Sequence, residues 1–302
     1  MSQTLLRFLP RLASEAAIAR LADKTLRLAE AVGHLPTPLD DLIAVASVEE
    51  VAEPDRWKDR FLASLPEGAR AIFQAAWQKI RGIADLRDRA VYVPRSAGAP
   101  RVQFAKGHEL GHQLLPWHNM NPAYRDDDLS LSSEAEDLFD AEANFFAAEV
   151  IFQGRRFRRR ALDFQPSFEA VFLLADEHGA SKHATMRRYV EEHDEPIAMF
   201  PYWPSEYSMD RRGSPVLRLG RGVGSVRFVE TYADVEAPLE LRSGDPWVAA
   251  RESSAPCGGD MALRCGPDQV SFQWQAWWNN YCLLVLLRKR PALGLIGRSL
   301  GT

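Results

Sequence analysis

The chain has 302 residues, of which 46% are hydrophobic and 26% charged, enough to bury a substantial core in one large or two modest domains. Its formal charge of -4 sets up no global basic field of the kind that gathers nucleic acid, although a local basic patch stays open. No apolar run approaches a membrane span, and the first residues lack the apolar stretch of a secretory signal. Three cysteines without paired spacing fit a reducing cytoplasm, which is the expected location.

Ile18, Leu21, Leu28 and Val32 recur near helical spacing and predict an amphipathic helix over 12–32, closed by Gly33. Thr37 reads as the N-cap of a second helix, with Pro38 at its first position and Asp40 and Asp41 in its first turn. Phe61, Leu65, Ile72, Phe73, Trp77 and Ile80 predict two short helices over 55–82, separated around Pro66 and Gly68. Residues 90–93 carry a short strand signal that the turn residues of 94–100 end.

Pro100 and Pro116 then bracket a single helix over about 101–115, "RVQFAKGHELGHQLL". His108 and His112 project from one face of it, a turn apart, so two imidazoles can hold one ion. Glu109 is rotated about 100° from His108 by the helix period. That would set its carboxylate beside a metal-bound water, the place of a general base, while His108 and His112 act as ligands. Zinc suits imidazole nitrogen and lowers the pKa of a bound water to about 7. Manganese, with softer geometry, is the alternative. The other reading of the pair is two histidines on the polar face of an ordinary helix, and a third ligand decides between them.

"SSEAEDLFDAEANFFAAEVIF" supplies the candidate. Ser133 and Glu136 make a capping box for a long apolar helix. Glu142 falls among Leu138, Phe139, Phe145 and Phe146, where an unpaired carboxylate is costly. A metal ion would remove that cost, and so would an ion pair with one of the many arginines. Glu149 lies two turns further along the same face and is a candidate for orienting a histidine. His118, just past Pro116, and Tyr124 are candidates for stabilising an oxyanion or supporting the ligands.

"VQFAKGHELGHQLL" followed by "EAEDLFDAEANFFAAEVIF" resembles the ImmA/IrrE family of metallopeptidases. In that family an HExxH helix precedes a helix with a Glu-Ala-Asn-x-Phe-Ala signature. "LPTPLDDLIAVA", "RAVYVP" and "HGASKHATMRRYVE" are similar to its flanking segments, so the resemblance covers roughly residues 35–195. It implies a zincin-like fold, zinc held in gluzincin style by His108, His112 and Glu142, and Glu109 as the catalytic glutamate. It also implies, as substrate, a helix-turn-helix repressor that is cut or inactivated in stress, mobile-element or defence responses. The chain departs from the family where the second helix ends, in "VIFQGRRFRRRAL".

Arg155, Arg156, Arg158, Arg159 and Arg160 surround Phe157 there. They read as a solvated helix end complementing the helix dipole, or as a docking surface for an acidic substrate or for DNA. His178, His183 and His193 read as surface residues. "MFPYWPSEYSMDRRGSP", after Pro196, reads as a connection. Short strand signals follow at 216–219, 226–229, 247–250, 270–274 and 281–287. Trp274, Trp277 and Trp278 read as core, or as the walls of a sensory pocket.

Together these elements predict an α+β chain. Residues 1–196 form a mainly helical metallopeptidase-like domain with a short sheet, and residues 197–302 form a smaller β-rich or α+β domain with a possible regulatory role. The expected function is zinc-dependent limited proteolysis of a regulatory protein. The alternatives are a metal-containing regulator that sequesters a repressor without cutting it, and a DNA-binding stress regulator acting through the arginine cluster.

Overall fold

A computed structural model describes residues 12–46, 49–51, 83–85, 90–92, 98–119 and 133–289. Among them the chain is α+β, with helices dominating up to residue 192 and an antiparallel sheet after it. Of these, the described residues from 12 to 160, with 172–185, form one compact unit, while 161–171 and 186–289 belong to a second. The second unit thus claims two stretches ahead of the 196/197 boundary expected from composition.

In the first unit, α1 (Glu15–Leu28) buries Ile18, Ala22 and Leu26 at successive steps of four, the stripe expected of an amphipathic helix. Gly33, with φ of 85°, turns the chain toward α2 (Leu39–Val45). Thr37 does not cap α2. It is buried, and its hydroxyl donates to the Val150 carbonyl at 2.9 Å. A small sheet follows, in which β3 (Ala90–Tyr92) pairs in parallel with β1 (Glu49–Val51) and antiparallel with β2 (Ile83–Asp85). The helices expected over 55–82 lie outside the described residues.

α3 (Ala99–Leu114) begins two residues before the expected start, because Pro100 fits the first turn of a helix instead of preceding it. A single residue separates it from the short α4 (Pro116–Asn119). α5 (Ser133–Phe152) runs along α3. The two helices approach closely because Gly107 and Gly111 face α5. A Cβ on Gly107 would stand 3.1 Å from Ala147 Cα, and one on Gly111 would stand 3.2 Å from Ala143 Cα.

α5 stops where Gln153 and Gly154 adopt φ of 54° and 47°, and a separate helix, α6 (Arg155–Ala161), carries the arginines. Phe157 anchors α6, packed against Phe152 and His178. α7 (Phe168–His178) and α8 (Lys182–Glu192) complete the helical part.

The second unit is built on an antiparallel sheet in the order β7 (Glu240–Leu241), β5 (Pro215–Leu219), β4 (Ile197–Met209), β10 (Leu283–Lys289), β9 (Asp268–Trp278) and β8 (Cys257–Cys265), with β6 (Val223–Gly224) also on β4. β10 (Leu283–Lys289) lies in the middle, and Leu283 to Leu287 are buried on both faces, as their unbroken apolar run predicts. Tyr202, Phe228, Trp247 and Phe272 fill the core on one face. On the other, the Phe168 ring packs tilted against Trp277 at 6.1 Å and the Phe168 N–H donates to Gln275 Oε1.

Several expectations are corrected here. The proline- and aromatic-rich connection is β4 (Ile197–Met209), a strand pairing with β10 on one edge and with β5 (Pro215–Leu219) on the other. Residues 226–229 are helical, within α9 (Val226–Tyr232), because Ser225 caps the Phe228 N–H. Residues 247–250 form a 3-10 turn entered through Pro246. Strand β8 (Cys257–Cys265), paired along its length with β9 (Asp268–Trp278), carried no signal in our reading. His178 and His193 are buried, at 2% and 5% exposure, and only His183 keeps partial exposure.

Candidate metal centre

His108 and His112 leave α3 one turn apart with their Nε2 atoms 3.1 Å from each other. Opposite them, the close approach allowed by the two glycines brings Asp140 and Asn144, also one turn apart, on α5. Asn144 Oδ1 lies 3.1 Å from His108 Nδ1, and Asp140 Oδ1 lies 3.5 Å from His112 Nε2. One ligand atom from each of His108, His112 and Asp140 can be chosen so that all three lie within 4.8 Å of one another. The carboxylate brought to the imidazole pair is therefore Asp140, which is exposed.

Glu142, the carboxylate read from the sequence as the third ligand, is buried at 5% exposure as expected but has protein partners. Ser14 Oγ donates to its Oε1 at 2.5 Å, and Trp117 Nε1 and His118 Nε2 contact its Oε2 at 2.7 and 2.9 Å. The buried carboxylate is therefore hydrogen-bonded and not unpaired. Burial pushes the Glu142 carboxyl up, but the hydrogen bonds from Ser14, His118 and Trp117 outweigh it and hold the group below the ordinary range. Ser14 stands at the N-cap of α1, yet its hydroxyl makes no cap bond and serves Glu142 instead.

His118 is buried, stacked on Phe139 at 4.3 Å, and its Nδ1 meets His112 Nδ1 at 3.1 Å. Both ring nitrogens are engaged, so neither is left to meet an oxyanion; of its two expected roles, the contacts match support of a ligand. Burial lowers its pKa against the pull of Glu142. His112 is pushed down to about 3 by burial first, and then by His108 and His118.

These proton positions carry a chemical consequence. Asn144 Oδ1 can only accept, so in the amide orientation of the structure His108 donates to it through Nδ1–H. If His118 donates to Glu142, its Nδ1 must accept from His112 Nδ1–H. Both Nε2 atoms then present lone pairs toward each other across 3.1 Å. Two nitrogens bound at 2.0–2.1 Å to one tetrahedral ion stand roughly 3.3 Å apart. Two imidazoles and a carboxylate therefore fit zinc, and by donor type also manganese.

Glu109 is buried at 5% exposure, and burial followed by the charge of Asp140 raises its carboxyl to about 8. Glu149 is also buried, near the end of α5, where its carboxylate fills the space that a Cβ on Gly154 would occupy. The side chain accepting from His108 is Asn144. Tyr124 lies outside the described residues. On α6, Arg155, Arg156, Arg158 and Arg159 are exposed, while Arg160 bonds Glu177 at 2.7 and 3.2 Å. Of the three tryptophans, Trp274 lines a pocket of 260 Å³ with Asp260, Gln273, Gln275 and Arg288. Trp277 packs on Phe168, and Trp278 faces the Arg251 guanidinium at 4.8 Å.

Sequence reasoning missed Asp140, Asn144, Ser14 and Trp117. The signal for the first two was their own i, i+4 spacing, which repeats that of His108 and His112; for Ser14 and Trp117 no local signal existed. Among the described residues no helix is long and apolar enough to cross a membrane. No protein-family model and no curated protein matches the chain. Among solved structures it is similar in fold to a Mycobacterium tuberculosis transcriptional regulator. The TM-score is 0.54 at 15% identity, over 90% of this chain and 75% of that one.

Proposed function

We propose that the chain is a metal-dependent endopeptidase that makes limited cuts in a regulatory protein, with a helix-turn-helix repressor as the substrate class. The observation that carries the reading is the facing pair of Nε2 atoms 3.1 Å apart, with the Asp140 carboxylate 3.5 Å from one of them. His108, His112 and Asp140 would hold the ion. Bound zinc supplies a water of pKa about 7 and a Lewis acid for a peptide carbonyl. Glu109, next to His108 on the same helix, takes a proton from the attacking water and returns it to the leaving amine. Asn144 holds the His108 ring through Nδ1, as outer partners of metal-binding histidines do.

A second reading is a regulator that binds its partner without cutting it. It draws on the burial of Glu109, which holds that carboxyl protonated at neutral pH unless a cation beside it draws the proton off. The deciding experiment loads the wild-type chain and Glu109→Gln with zinc and incubates each with the helix-turn-helix protein encoded nearest its gene, read by intact mass. Discrete fragments with wild type alone support the peptidase. An intact partner that co-purifies with both chains supports the binder.

A further inference from the structure

We propose that Glu142 and His118 are positioning residues: a buried carboxylate–imidazole pair that fixes the tautomer of His112 and aims its Nε2 lone pair at the cation position. The inference rests on the metal reading above and adds residues to it from α5 and α4.

The direction of each hydrogen bond follows from what each group can do. An ionised carboxylate only accepts, so the 2.9 Å contact makes His118 Nε2 the donor. An imidazole with one proton then has only its Nδ1 lone pair left, so in the 3.1 Å contact between the two Nδ1 atoms His112 donates. The proton of His112 is thereby held on Nδ1, and Nε2 is the atom that can ligate. Without the relay His112 could carry its proton on Nε2, the tautomer that cannot bind an ion through that atom.

The relay is held stiff. Ser14 and Trp117 occupy one Glu142 oxygen each, at 2.5 and 2.7 Å, and Phe139 stacks on His118 at 4.3 Å. A carboxylate accepting three hydrogen bonds in this way is committed to orienting its neighbours. The N-cap of α1 and helices α3, α4 and α5 each contribute a member, so His112 is aimed by the packing of these four helices.

The test uses the full chain with His118→Phe, His118→Asn, Glu142→Gln and Asp140→Asn. The tautomer of His112 is read from ¹⁵N shifts of its ring before zinc is added, and zinc affinity and stoichiometry from competition with a chelator. In His118→Phe the Nδ1–H form of His112 should be lost, and zinc affinity should fall about 10–100-fold with one site kept. His118→Asn, whose amide oxygen can accept from His112 Nδ1, should restore much of both. Glu142→Gln should keep the single site with weaker affinity.

An unchanged His112 tautomer in His118→Phe overturns the proposal. So does loss of the site in Glu142→Gln with its retention in Asp140→Asn, which would make Glu142 a ligand. Should His118→Phe not fold, His118→Leu, which likewise offers His112 Nδ1 no acceptor, gives the same reading. If wild type takes up no zinc, the metal reading fails, while the tautomer shifts still decide the relay.

Discussion

The imidazoles of α3 need a third donor, and α5 offers two carboxylates only two residues apart. Asp140 lies 3.5 Å from His112, whereas Glu142 already accepts from Ser14, Trp117 and His118. Asp140→Asn should therefore weaken zinc binding by at least tenfold in chelator competition, whereas Glu109→Gln should leave zinc uptake intact. The same Glu109→Gln change should lower peptide-bond turnover by about 10²–10⁴, the usual contribution of a positioned general base. Equal loss of metal in both variants would place Glu109 among the ligands and remove the base.

His108, Glu109 and His112 were legible in the sequence because their relation is set within a single helix turn. The burial of Glu142 was legible too, from the apolar residues at three and four positions from it. Its partners were not, because Ser14 and His118 reach it only once α1, α4 and α5 have packed.

At the level of elements, the centre depends on how closely α3 lies against α5. Helix propensity alone would make Gly111 a poor choice, worth about 1 kcal/mol against alanine in a helix interior. The contact outweighs that preference, since a Cβ there would stand 3.2 Å from both Ala143 Cα and Phe146 Cβ. Gly111→Val should lower stability by about 1–3 kcal/mol, as overpacked cores do. It should also weaken zinc binding by moving Asp140 and Asn144 away from the imidazoles. A thermal melt together with a zinc titration checks both, and a variant as stable as wild type would mean that the helices do not need this approach.

The helices around this contact were readable because Pro100, Pro116 and the apolar repeats mark them over many residues. The second unit was harder. Residues 226–229 and 247–250 are short, largely apolar stretches that suit a strand and a helix equally, and Ser225 and Pro246 decided for helix. In β4 the prolines argued against a strand, yet Pro201 still accepts through its carbonyl from Gly220 N–H at 2.8 Å, and Pro204 pairs with Leu217.

For the molecule as a whole, each unit encloses a neutral histidine far from the candidate centre in sequence, and these shape its response to acid. His178 in the first unit donates through Nδ1 to the Ile151 carbonyl at 3.1 Å. Burial lowers its pKa, and neither that carbonyl nor Glu177 raises it enough to compensate. His193 in the second unit accepts from the Glu195 N–H through Nδ1 at 3.0 Å and is likewise lowered by burial. Above about pH 6.5 folded and unfolded chains hold both rings neutral, so neither ring makes stability depend on pH. Below it the unfolded chain binds protons that the folded chain refuses, and stability falls until the depressed folded pKa values are reached. Unfolding free energies from urea titrations between pH 8 and pH 5 should decline on the acid side, by about 1.4 kcal/mol for each pH unit through which one ring is held neutral. His178→Asn, which keeps a donor for Ile151 but cannot ionise, should make that decline shallower without changing its onset. An identical slope in the variant would show that His178 takes up its proton without opening the core.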